Sequence, residues 1–74
     1  MTRDRWEQIL FANVGDEVVQ DMLNQYVLEL EADKHKLHVL AQAMWVRIKS
    51  EYPHGGFPDM GLLEGELRWA GIDV

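Results

Sequence analysis

The chain contains no cysteine, so neither a disulfide framework nor a thiol nucleophile is available to it. Hydroxyl nucleophiles are almost as scarce. Apart from the tyrosines there are only Thr2 and Ser50, neither in a nucleophile-elbow context, and no phosphate-binding or dinucleotide-binding glycine fingerprint is present. No apolar run approaches the ~20 residues that a membrane span requires, and the opening MTRDRWEQ lacks the hydrophobic stretch of a signal peptide. A cytoplasmic location with no membrane partner is the default expectation. Basic residues are also in short supply: 7 Lys and Arg stand against 13 Asp and Glu, for a net charge of −6, which argues against a nucleic-acid backbone as partner.

Proline and glycine are few and unevenly placed, which exposes the central feature of the sequence. The 37 residues from Asp16 to Tyr52 contain neither. Within them, apolar residues return at Val19, Leu23, Tyr26, Leu30, Leu37, Ala41, Met44 and Ile48, always three or four apart except across Asp33. That spacing predicts an amphipathic helix, widened by Met22, Val27, Leu40, Trp45 and Tyr52, with Gln20, Asn24, Glu31, His35, His38, Gln42 and Lys49 gathered elsewhere.

The length of this stretch sets a problem. An unbroken helix over 16–52 would run ~55 Å, whereas a globule of this size has a diameter of about 30 Å. Either the helix breaks near Ala32-Asp33, with Asp33 capping a second helix, or it stays whole and a second copy of the chain covers the overhang. The unbroken helix is favoured, because no glycine or proline marks a break and Lys36 stands where a capping box wants Glu or Gln.

Charge points the same way. Residues 1–33 carry eight acids and two bases, whereas residues 34–51 carry four bases and one acid. Two such helices are complementary when packed antiparallel. The expected architecture is therefore an all-α homodimer, an antiparallel bundle around one long central helix (about 16–52), with Leu30, Asp33, Lys34 and Leu37 at the dimer interface. All 74 residues belong to one small domain, at a size where a lone monomer buries only about 60–65% of its unfolded surface and is marginally stable.

On either side of the central stretch the signals are local. Thr2 can cap a short first helix whose stripe is Trp6, Ile9, Leu10 and Val14, with Phe11 to one side. Asn13-Val14-Gly15 should stop it, with Gly15 in the left-handed conformation and Asp16 capping the next helix. After Ile48 the pattern dissolves into Tyr52-Pro53-His54-Gly55-Gly56-Phe57-Pro58, a turn region in which Phe57 is either a plug into the core or an exposed recognition residue. Asp59 can cap a last helix, 60–70, with Met60, Leu63, Leu67 and Ala70 on one face and Leu62 and Trp69 on another. Gly71 closes it, with Ile72 or Val74 folding back. Gly61 and Gly65 cost helix propensity, which makes sense where another backbone approaches closely.

One constellation has the spacing of metal ligands: Glu31, His35 and His38, a carboxylate and two imidazoles four and three residues apart. That face is the polar one, where solvated histidines are commonplace, so neither a metal nor any other cofactor is expected. A secondary apolar line, Leu28, Ala32, Val39, Ala43 and Val46, suggests a second neighbour for the long helix.

The resulting expectation is a small acidic protein-binding module, a regulator, adaptor or inhibitor acting as a homodimer without catalysis. The partner surface is expected at Phe57, Leu62 and Trp69, rimmed by Glu66 and Asp73. The alternatives are a metal-binding or catalytic bundle using Glu31, His35 and His38, and an acidic inhibitor that imitates nucleic acid.

Overall fold

The computed structural model describes residues 2–12, 14–54 and 57–71. They form four helices, with no strand among the described residues. Helix α1 is Thr2–Phe11. Helix α2 starts as Asp16–Met22, widens into a π-helical turn at Leu23–Val27, and resumes as Leu28–Ala32. Helix α3 opens with a tight 3-10 turn, Lys34–Lys36, and continues as Leu37–Glu51. Helix α4 is Met60–Gly71.

The central stretch is not one helix, which corrects the expectation of an unbroken rod over 16–52. It breaks at Asp33, whose backbone is extended at φ −151 and ψ 103. The Asp33 carboxylate accepts a hydrogen bond from the His35 N–H at 3.0 Å, capping the tight turn that starts α3. The Asp33 carbonyl also accepts from the Lys36 N–H at 3.1 Å. A capping box was thus unnecessary: a lone aspartate with an extended backbone suffices to satisfy the first donors of α3.

Breaking there folds the stretch in half. Arg47 on α3 pairs with Asp21 on α2, and the Gly15 N–H before α2 donates to the Tyr52 hydroxyl after α3 at 3.1 Å. Both links join positions nearly equidistant from Asp33, so α2 and α3 form an antiparallel hairpin. The acidic and basic halves that were expected to attract between two copies meet within one chain. Asp21 first, and then Glu51 at 3.0 Å, hold the Arg47 guanidinium above its ordinary pKa. An exposed pair of this kind contributes ~0–1 kcal/mol, so it sets the register of the hairpin more than its stability.

The folded hairpin removes the overhang. The longest dimension is 32 Å and the radius of gyration 11.0 Å, in place of a ~55 Å rod. Val19, Leu23, Leu30, Leu37, Ala41, Met44 and Ile48 are all buried, and Tyr26 is half-buried against them. Leu30 and Leu37, expected at a dimer interface, are covered by their own chain; Asp33 is partly exposed at the hinge and Lys34 is exposed. The π turn has a local reason as well. Val19, Leu23 and Val27 are spaced by fours, which drifts about 40° per step on a regular helix, and a wider turn takes that rotation back out. All three remain buried.

Helix α1 docks through Trp6 and Leu10, with Ile9 partly buried beside them and Val14 buried just beyond its end, as the stripe predicted. Gly15, by contrast, is not left-handed: its φ is −67, and it rather than Asp16 occupies the N-cap position of α2. Its need for glycine is one of space, because a Cβ there would lie 2.5 Å from the Tyr52 hydroxyl. The side chain of Thr2, Asn13, the pair Gly55 and Gly56, and the residues Ile72, Asp73 and Val74 lie outside the described residues.

The clasp at the open end of the hairpin yields a prediction. Gly15→Ala displaces the Tyr52 hydroxyl and should cost about 1 kcal/mol by denaturant titration. In a Tyr52→Phe background the same change should cost clearly less, leaving only the poorer N-cap preference of alanine. Equal costs in both backgrounds would contradict the contact.

Candidate functional site: the outer face of helix α4

Helix α4 is fixed in rotation by partners on its inner and lateral sides. At its start the Asp59 carboxylate accepts the Leu62 N–H at 2.9 Å, the cap anticipated from sequence. Leu63, Leu67 and Ala70 face the core. From α1, the Trp6 indole N–H donates to the Leu67 carbonyl at 3.0 Å, a buried bond that locks the height of α4 against α1. On the α3 side, Glu64 accepts from Arg68 at 2.8 Å and pairs with His38 Nδ1 at 2.5 Å. Phe57 is buried at 7% exposure, so it is the plug that seats the loop before α4 and drops out of the surface to which it was assigned.

With those sides occupied, Gly61, Leu62, Gly65, Glu66 and Trp69 are left pointing outward, lining an open groove of about 300 Å³. Trp69 is 77% exposed and Leu62 52%. The two residues are seven apart, two helical turns, with Gly65 between them. Among the described residues nothing demands glycine at position 65. A Cβ on Gly65 would meet nothing within 4 Å, and one on Gly61 would meet only the capping Asp59 carboxylate, at 3.1 Å. Each costs about 1 kcal/mol relative to alanine in an exposed helix.

The three tryptophans have separated into three environments. Trp6 is fully buried and hydrogen-bonded. Trp45 packs partly buried beside the core, its indole N–H buried and without a hydrogen-bond partner among the described residues. Only Trp69 faces solvent among the three.

The proposed metal ligands are not brought together. Glu31 lies on the last turn of α2 and His38 on α3, on opposite sides of the break at Asp33, so the one-face spacing of a continuous helix is lost. His38 is engaged with Glu64 instead. Among the described residues no group of three His, Cys, Asp or Glu side chains is arranged to hold a metal ion. Ser50 is exposed at the end of α3. No helix among the described residues is long and apolar enough to cross a membrane.

A second groove, of about 390 Å³, runs between the start of α1 and the back of α2, lined by Arg3, Leu23, Asn24, Val27, Leu28 and Glu31. Of the secondary apolar line only Leu28 lines this groove; Leu28 and, elsewhere on α3, Val39 and Val46 are exposed. Arg3 at its edge donates to Gln20 at 2.8 Å, and Gln20 donates to Glu7 at 3.2 Å.

No protein-family model matches the chain, and no curated protein or solved structure is detectably similar to it.

The lateral support of α4 is testable by pH. Arg68 first, and His38 second, hold the Glu64 carboxyl below its usual range. A lowered folded-state pKa gives stability that is present above the unfolded value of about 4.3 and is lost as pH falls through the folded one. Glu64→Gln should therefore melt below the wild type at neutral pH, and the gap should close as pH falls from about 5 to 3. A gap that is constant over that range would show that the charge of Glu64 does not support α4.

Proposed function

We propose that this chain is a protein-binding module, a small regulator, adaptor or inhibitor with no catalytic step of its own, and that it binds through the outer face of α4. The observation that carries the reading is Trp69, a large aromatic left 77% exposed on a helix whose other sides are held by Trp6, His38 and the core. Exposed aromatics beside a leucine are the residues that dominate protein interfaces when buried, and leaving them in water costs solubility unless a partner covers them. The acidic Glu66 at the rim and the net charge of −6 suit a partner whose groove or helix is rimmed by basic residues.

Two other readings lose their motive. A homodimer through Leu30, Asp33, Lys34 and Leu37 was inferred from a helix too long for one chain, and the hairpin removes that overhang. A metal-dependent or catalytic bundle needs Glu31, His35 and His38 on one face, and the break at Asp33 separates them. The acidic imitation of nucleic acid rests on net charge alone.

Trp69→Ala separates binding from folding. As a surface change it should leave the unfolding free energy within about 0.5 kcal/mol of wild type. It should lower affinity for a partner isolated from the native host by about tenfold or more, the cost of removing an interface anchor. A Trp69→Ala protein that unfolds readily would make Trp69 structural and remove the surface from the proposal.

A further inference from the structure

What covers the outer face of α4 can be specified further, granted that this face is the binding surface. The backbone of α4 is internally hydrogen-bonded, so an added β-strand would find no donors or acceptors there, and a single tryptophan does not make the aromatic-lined groove that extended proline-rich segments need. A helix remains. Gly61 and Gly65 sit one turn apart on the solvent side; among the described residues nothing lies within 4 Å of where a Gly65 Cβ would be, and beside Gly61 stands the Asp59 carboxylate that caps the helix. Their physical use is to let another helix axis come to the near end of the 8–10 Å range of packed helices. Leu62 and Trp69, two turns apart with Gly65 between them, would then flank the crossing partner.

Charge selects which helix. Glu66 lies on this face, exposed, with no ion-pair partner among the described residues. A second copy of the chain crossing at Gly65 in antiparallel fashion could seat each Trp69 over the partner's Gly61. It would also bring the two Glu66 carboxylates to either side of the twofold axis, as like charges, between two chains of net charge −6 each.

We infer that the groove of Gly61, Leu62, Gly65, Glu66 and Trp69 takes an amphipathic helix of another protein, its apolar side crossing the two glycines and a Lys or Arg facing Glu66.

The test uses the whole chain labelled with 5-fluorotryptophan, whose fluorine signals are assigned by Trp69→Phe. The probes are two synthetic amphipathic helices of about 18 residues, alike in their Leu and Ala face, one flanked by Lys and the other by Glu. The Lys-flanked peptide should move the Trp69 signal at micromolar concentration, and the Glu-flanked peptide should bind about tenfold more weakly or worse. Gly65→Gln and Glu66→Lys should each weaken the Lys-flanked peptide by about tenfold or more with the melting temperature retained. Binding by Trp69→Ala, which lacks the reporter, is read from the fluorescence anisotropy of a dye-labelled peptide: if that change abolishes binding while Gly65→Gln and Glu66→Lys do nothing, the face binds but not to a basic helix crossing the glycines, and the inference falls alone. If binding is indifferent to Trp69→Ala, the face itself is wrong. Absence of binding by the Lys-flanked peptide, or a Trp69 signal that moves with protein concentration alone, overturns the inference.

Discussion

Everything in this fold depends on one residue being extended. A 37-residue stretch with helical periodicity and no glycine or proline cannot be covered by 74 residues unless it turns back on itself. Asp33 supplies the turn: its backbone leaves helical geometry, and its side chain immediately satisfies a donor of the next helix. The cost of interrupting the helix is a few backbone hydrogen bonds, largely replaced by the cap. The gain is that both halves of one apolar stripe are buried against a shared core, at roughly 25 cal/mol per Å² of apolar surface. Once the hairpin exists, the acidic first half and the basic second half lie antiparallel, α1 closes one side and α4 packs against both α1 and α3.

Much of this was legible in the sequence and one part was systematically hidden. The stripe from Val19 to Ile48, the docking face of α1, the loop beginning at Tyr52, the Asp59 cap and the two faces of α4 all follow from local spacing and turn chemistry, and the structure has them. The break was not visible to periodicity because Leu30 and Leu37 are seven residues apart, two full turns, so the stripe stays in phase across it. The facts that pointed to a fold-back were all present: excess length, a lone polar residue in the stripe and a change of charge sign beside it. Each fits two chains as well as one chain folded in half, and the absent capping box tipped the balance wrongly. Gly15 was misread for a related reason. Its partner Tyr52 is 37 residues away, and no local pattern reports such a contact.

The surface argument has the opposite character, because there the sequence anticipated more than the chain itself uses. Gly61 and Gly65 were expected to mark a close backbone approach; among the described residues no backbone approaches either, a Cβ on Gly65 would meet nothing, and one on Gly61 would meet the capping Asp59 carboxylate. Leu62 and Trp69 were expected on a face separate from Leu63 and Leu67, and they are exposed while the latter are fully buried. Phe57 was assigned to that surface only because an aromatic in a loop can face either way, and the core took it. A helix held on its inner and lateral sides, carrying helix-weakening glycines and an exposed indole on the fourth, is the feature on which the proposed partner surface rests.

The measurement closest to the root of the account is the distance between the two ends of the central stretch. The chain has no native cysteine, so spin labels can be placed on cysteines introduced at the exposed positions Glu17 and Ser50 alone. Labelled chains diluted into an excess of unlabelled ones report only distances within one molecule. The hairpin predicts a separation under about 20 Å, two helix diameters, whereas an unbroken helix places the labels ~50 Å apart. A distribution centred near the longer distance would contradict the fold-back at Asp33 and everything built on it.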